Sequence, residues 1–96
     1  MSTVYKPIDN EFFGRGFIHR LIKRQGMVAL FERWHRELPD GLHHFEVVRL
    51  RNSDAYVVAG VTIPAQETYP SSESWGTDGF TYSTRVHAEA KFASIA

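Results

Sequence analysis

Five histidines are the residues of this chain best suited to bind a metal ion. His43 and His44 are adjacent in a predicted strand, so their side chains point to opposite faces and cannot share an ion. His35 and one of that pair would meet across the intervening turn, where Glu37 or Asp40 would add oxygen ligands. The solvent-exposed end of a hairpin commonly carries polar residues, and this explains the grouping of histidines and acids without a metal ion. We therefore predict no metal site and no cofactor.

The patterns of common catalytic sites are missing from the sequence. Without cysteine there is no thiolate nucleophile, no thiolate metal ligand and no disulfide. Serines cluster at 71–74, where turns and caps account for them, and Gly-x-Ser-x-Gly does not occur. Gly14-Arg15-Gly16 is too short for a phosphate-binding glycine loop. We expect no catalytic residues and a protein that is not an enzyme; a metal-dependent enzyme is the alternative.

Basic residues concentrate in the first half of the chain. Residues 1–51 hold nine Lys/Arg and six Asp/Glu, whereas residues 52–96 hold two and five. The net charge of zero lacks the basic excess that nonspecific nucleic-acid binding needs. Arginines of the first strands still form one predicted face, which either contacts single-stranded nucleic acid or keeps a small sheet soluble. The candidate interface residues are Arg20, Arg24, Arg33, Arg36 and Trp75.

Two runs of branched and aromatic residues predict a β-hairpin. They are FIHRLIKR and MVALFERWH, and they flank Gln25-Gly26. A two-residue loop at that pair would place His19 opposite Glu32 on the neighbouring strand. The same register predicts one core face, made of Phe17, Leu21, Val28, Leu30 and Trp34.

Further strands and one helix follow the hairpin. Leu38-Pro39-Asp40-Gly41 is a turn signal, HHFEVVRLR is a third strand, and AYVVAGVTI suggests a fourth strand that Gly60 weakens. The segment after it is rich in Ser, Pro and Gly, with a short helical turn near 71–74. Trp75 there is either a plug that holds the loop or an interface anchor. Ser83 or Thr84 would cap a final helix.

These segments predict one α+β domain over residues 1–96. Its stretches are a mobile lead-in at 1–13, an antiparallel β-meander of three to four strands at 17–63, an ordered irregular loop at 64–82 and a helix at 84–95 packed on the sheet. Ala88, Phe92 and Ile95 form the apolar stripe that would contact the sheet.

The order of segments resembles a family of small uncharacterised proteins of bacteriophages and bacterial mobile DNA. LIKRQGMVALFER, HHFEVVRLR and YPSSESWGTDGFTY carry the resemblance, which covers residues 14–92 and is strongest from Tyr69 to Tyr82. It implies a phage accessory protein that binds a host protein, including components of defence systems such as CRISPR effectors.

We therefore expect a noncatalytic protein-binding module. The alternative is a small single-stranded DNA- or RNA-binding domain that uses the arginine-bearing face. No apolar run approaches the length of a membrane span, so we expect a cytoplasmic protein without membrane contact. A small sheet has exposed edges, and these offer a homodimer contact.

Overall fold

The computed structural model describes residues 3–96 of the chain. Nine strands, one short 3₁₀ helix (Ser72–Ser74) and one α-helix are formed in this range. The bounds are β1 Glu11–Gly14, β2 Phe17–Gln25, β3 Val28–His35, β4 His43–Arg49, β5 Arg51–Ser53, β6 Tyr56–Val58, β7 Val61–Ile63, β8 Gln66–Thr68, β9 Gly79–Tyr82 and α1 Arg85–Ile95.

Five of these strands form the central sheet, in the order β1-β2-β3-β4-β9, with every neighbouring pair antiparallel. The predicted α+β class, with an antiparallel sheet and a C-terminal helix, is confirmed. The predicted count of three to four strands is wrong. The additional strands are β1, which begins inside the predicted lead-in at 1–13, and β9, which ends the predicted irregular loop at 64–82. Residues 1 and 2 of that lead-in lie outside the described residues.

The predicted fourth strand over 55–63 is also wrong. This segment folds back on itself as a hairpin of β6 and β7, because Ala59 and Gly60 both adopt positive φ values, 50° and 78°. Two consecutive residues of that kind make the tight turn that joins twisted antiparallel strands. Below it, β5 pairs with β8. Residues 51–68, which we call the arm, thus form two ribbons of two strands each, outside the central sheet.

Strands β2 and β3 pair in a register that differs from the predicted one. Gln25 faces Val28, so the connecting residues are Gly26 and Met27 rather than Gln25 and Gly26. A β-bulge between Leu21 and Lys23 then inserts one extra residue into β2. Because side chains alternate across a strand, the extra residue places the β2 side chains from 17 to 21 on the face opposite to the one they would have in an unbroken register.

The predicted core face is therefore only half right. Val28, Leu30 and Trp34 do share a face of β3, but Phe17 and Leu21 lie on the opposite face of the sheet. His19 pairs with Arg33 instead of Glu32, for the same reason.

The sheet buries apolar side chains on both faces. On the helix face, Ala88 and Phe92 of α1 pack against the first core cluster. The buried sheet residues of this cluster are Val28, Leu30 and Val47. Ile95 packs at its margin, so the predicted helical stripe is confirmed.

A second cluster occupies the other face, which we call the cleft face. Its buried residues are Ala29, Phe31, Val48 and Leu50. Side chains from outside the sheet's centre cover it: Ile8, Phe12, Tyr69 and Trp75. The loop after the arm and the segment before β2 therefore cover the core on this face, as α1 covers it on the other face.

Candidate functional site

A cleft of about 550 Å³ opens on the cleft face, beside the second core cluster. Its volume lies within the range of small-ligand and side-chain binding sites. Aromatic rings form its walls: Phe12, Phe17, Tyr69 and Trp75. Its polar lining comes from Arg15, His19, Arg33, Glu46 and Thr81, and Ser71 and Ser72 add two hydroxyl groups.

Glu46 lies at the centre of the polar lining and is only 4% exposed. Tyr69 donates its hydroxyl hydrogen to Oε1 of Glu46 at 2.6 Å, and Thr81 donates to Oε2 at 3.1 Å. The indole N–H of Trp75 in turn donates to Oγ1 of Thr81 at 2.9 Å. Burying a carboxylate is costly unless hydrogen bonds satisfy it, and this chain of donors does so.

Tyr69 stays protonated in this environment. Burial raises the pKa of its phenol far above the usual value, and the neighbouring Glu46 carboxylate raises that pKa further. The hydroxyl group therefore acts as a permanent hydrogen-bond donor to Glu46.

His19 is buried beside the same carboxylate. Its ring stacks on Phe12 with the centroids 4.6 Å apart, and Nε2 lies 3.6 Å from Oε1 of Glu46. Burial lowers the pKa of the imidazole below its usual value; the Glu46 charge opposes this shift and the Arg33 charge adds to it. The ring is therefore neutral at pH 7. Within residues 3–96, its Nδ1 atom has no hydrogen-bond partner.

Arg33 brings a positive charge into the cleft. Its guanidinium lies 4.3 Å from the centre of the Phe17 ring, a cation–π contact. The nearest carboxylate oxygen, Oε2 of Glu46, is 3.7 Å from Nε, which is beyond hydrogen-bonding distance. That buried Nε atom finds no acceptor in the described part of the chain. The hydrogen-bonding capacity of Arg33 is thus not used up by Glu46.

Trp75 holds the loop against the sheet and also borders the cleft. Its ring lies so close to Gly79 that a Cβ atom on that glycine would be 2.4 Å from two ring carbons. It stacks on Tyr69 with the ring centroids 6.1 Å apart. These contacts are the ones that a plug would make, and they leave one side of the indole as a wall of the cleft.

The arginines predicted to form one interface are separated by the fold. Arg20 lies on the helix face, with its guanidinium 4.7 Å from the Trp34 ring centre and paired to Glu11 at 3.2 Å. Arg24 lies on the cleft face and binds both carboxylate oxygens of Glu67 at 2.6 Å.

The predicted arginine face is therefore wrong for Arg20, whereas Arg24 and Arg33 do lie together on the cleft face. The bulge in β2 lies between Arg20 and Arg24 and turns them to opposite sides, and Arg33 pairs across from His19. Arg36 follows β3, where its guanidinium lies 4.2 Å from the Phe13 ring centre.

His43, the histidine considered for a metal site, is held by two acceptors. Nδ1 lies 2.6 Å from a carboxylate oxygen of Glu32, and Nε2 lies 2.8 Å from the carbonyl oxygen of Pro39. Among the described residues, no three His, Asp or Glu side chains converge in a way that could hold a metal ion.

The tip of the arm exposes apolar side chains on one face. Tyr56 pairs with Ile63 and Val58 pairs with Val61, so these four residues share a face of the hairpin. Tyr56, Val58 and Val61 are 52%, 54% and 60% exposed. The sequence carries no charged residue between Asp54 and Glu67. This face of the β6–β7 hairpin thus presents apolar, uncharged side chains to solvent.

Comparison with known proteins gives no relative. No family model, no curated protein and no solved structure matches this chain. The resemblance to small phage proteins therefore stays a prediction. Over residues 3–96, no helix has the length and apolar character needed to cross a bilayer.

Sequence reasoning missed the centre of the cleft. Glu46, Tyr69 and Thr81 are far apart in the chain and meet only because β4 pairs with β9 and the loop folds over them. One signal was present: Glu46 interrupts the apolar run of the third strand, FEVV, where a charge on a central strand needs partners. Nothing in the sequence names those partners.

Proposed function

We propose that this protein is a noncatalytic binding module that docks on another protein through the apolar face of its arm. The exposed side chains of Tyr56, Val58 and Val61 carry the proposal, and the half-buried Ile63 lies on the same face. A soluble monomer rarely keeps a contiguous apolar surface of this kind unless a partner covers it.

The geometry of the arm suits protein docking. A two-stranded hairpin is marginally stable in water and gains stability from a third strand or a packing surface. The edges of β6 and β7 lack the charged side chains that usually block strand addition. A partner could therefore both add a strand and cover the apolar face.

The cleft supports a noncatalytic module as well. Its one carboxylate, Glu46, already accepts hydrogen bonds from Tyr69 and Thr81 on both oxygens. Its one imidazole, His19, is buried and neutral. These groups stabilise each other and give no assembled nucleophile with a base.

A host protein is the partner that the phage resemblance favours, including a defence component such as a CRISPR effector. The nucleic-acid alternative receives less support, because Arg20 and Arg24 lie on opposite faces and each is paired with a carboxylate. A second copy of the chain, joined through strand edges, is the other partner to distinguish.

Site-specific crosslinking in bacterial cells tests this proposal. A photoreactive residue at position 58 should form an adduct with a defined protein, and Val61→Lys should abolish that adduct by placing a charge in the contact. The matched control is the same photoreactive residue at Val86, which is 77% exposed on α1. Identical adducts from both positions, or retention of nucleic acid without a protein adduct, would refute the proposal. An adduct between two copies would identify the chain itself as the partner.

A further inference from the structure

We propose that the cleft binds a carboxylate carried on an aromatic or similarly flat apolar group, with Arg33 as the anion's partner. This site is separate from the arm and does not depend on the docking function proposed above.

The charges lining the cleft favour a ligand with one negative charge. Arg15 and Arg33 contribute two positive charges, and Glu46 is the single acid among the lining residues. His19 adds no charge at neutral pH. The balance of plus one complements a carboxylate; a phosphate dianion would leave the site with excess negative charge near the buried Glu46.

Arg33 has the geometry and the free capacity to bind that carboxylate. A guanidinium presents its N–H groups in a planar fork that matches the two oxygens of a carboxylate. The 3.7 Å separation from Glu46 leaves Nε without a hydrogen-bond acceptor among residues 3–96. That Nε atom is itself buried, whereas the side chain as a whole is 22% exposed and borders the cleft, so an anion would approach the outer part of the guanidinium.

The walls fit a flat apolar group beside the anion. Phe17 lies under the Arg33 guanidinium, and Trp75 and Tyr69, which stack on each other with ring centroids 6.1 Å apart, also line the cleft. Rings of this kind favour a planar partner through offset stacking and edge contacts. A cleft of about 550 Å³ has room for a ring together with its carboxylate.

Serine hydroxyl groups and a buried histidine complete the polar lining of the cleft. His19 is 93% buried, borders the cleft and has an unpartnered Nδ1 atom in the part of the chain that is described. Ser71 and Ser72 place hydroxyl groups among the lining residues. Both serines are exposed, so their hydroxyl groups can donate to or accept from a polar group of the ligand, whereas Nδ1 of His19 is enclosed by protein atoms.

Titration of the wild-type chain with three compounds of one skeleton tests the proposal without any substitution. We expect phenylacetate to perturb the amide resonances of residues around the cleft, and 2-phenylethanol and phenethylamine to bind at least tenfold more weakly. Stronger binding of the amine would mean that Glu46 recognises the ligand, and would overturn the proposal. Equal binding of acid and alcohol, or no binding of any of them, would do the same.

A peptide pair distinguishes the two sources of this chemistry. Acetyl-Gly-Gly-Phe with a free carboxyl group should bind better than the same peptide with a C-terminal amide if the cleft takes protein C-termini. Phenylacetate binding with no peptide binding would assign the site to a small molecule. Either result supports the carboxylate proposal, whereas preference for the amide would contradict it.

Substitutions then locate the anion. Arg33→Gln should weaken phenylacetate binding tenfold or more, while Arg85→Gln, a matched control on α1, should change it by less than twofold. If Arg33→Gln fails to fold, Arg15→Asn serves in its place, since Arg15 has a φ of 54°, which Asn tolerates. We expect a loss of about threefold for that variant, because a charge at the mouth of a cleft is partly screened by solvent. Unchanged affinity in the folded variants would refute the proposal.

Discussion

Two histidines lie in opposite environments. His43 has an acceptor at each ring nitrogen, and a neutral imidazole can donate from only one of them. The hydrogen bond to the Pro39 carbonyl, followed by the one to the Glu32 carboxylate, raises the pKa of His43. Burial lowers the pKa of His19. The fold therefore favours protonation of His43 and disfavours protonation of His19.

We expect an NMR titration to show the pKa of His43 above, and that of His19 below, about 6.5, the ordinary value for histidine. Glu32→Gln should lower the pKa of His43 and leave that of His19 unchanged.

The Glu32→Gln variant also tests how the raised pKa of His43 contributes to the stability of the fold. Because the folded pKa of His43 is raised, its contribution is complete below about pH 6.5 and is lost as the pH rises through the folded value. Glu32→Gln should therefore destabilise the protein more at about pH 5.5 than at about pH 8 in urea unfolding. An equal loss at both pH values would contradict the raised pKa of His43. His19 acts with the opposite sign: its depressed pKa costs stability as the pH falls below about 6.5.

The sequence pattern predicts where the strands and the helix lie better than it predicts which side chains lie on which face of the sheet. The α1 stripe and the strands β2, β3 and β4 follow from periodicity, because burial on a helix or strand repeats at a fixed spacing. The bulge at Leu21–Lys23 leaves no such trace, since Ile22 continues a run of branched residues. Because of this one inserted residue, Phe17, Leu21 and Arg20 lie on the face of the sheet opposite to the predicted one. The cleft is built on the face of the sheet that carries Phe17, His19 and Arg33, so the residues at the centre of the cleft could not be predicted either.

The turn of the arm carries a local strain that a substitution can relieve. Ala59 has a φ of 50°, a left-handed conformation that costs a residue with a Cβ atom roughly 1 kcal/mol and suits Asn better. Ala59→Asn should therefore slow amide hydrogen exchange across residues 56–63, by up to about fivefold where the whole of this cost is relieved. Gly60→Ala, in contrast, should accelerate exchange, because Gly60 has a φ of 78°. Unchanged exchange in both variants would mean that the hairpin does not form in solution as described.

At the scale of the whole molecule, one strand supplies both cores. Leu30 and Phe31 are adjacent in β3, both are fully buried, and they belong to the clusters on opposite faces of the sheet. The helix on one side and the loop on the other are therefore joined through the same backbone. We expect the two faces to unfold together, since neither retains its packing without β3.

Leu30→Ala should lower the free energy of unfolding by about 2–4 kcal/mol, as for other fully buried leucines. The matched control is Leu42→Ala, at a residue 73% exposed, which should change stability by less than about 0.5 kcal/mol. Chemical unfolding followed by tryptophan fluorescence measures both. A loss below about 0.5 kcal/mol for Leu30→Ala would show that the helix-face core is not packed as described.

The base of the arm is closed, with Arg51 paired to Thr68 across β5 and β8. The chain thus leaves the body and returns to it at neighbouring points, and nothing in the order of the five-stranded sheet depends on the length of what lies between. Asp54 and Ala65 are hydrogen-bonded to Tyr5 and Lys6, so the segment that can be exchanged independently of the body is the hairpin at 56–63. Over evolutionary time such a segment can be lengthened, shortened or replaced without repacking either core, so the choice of partner can change while the body that presents it is inherited intact.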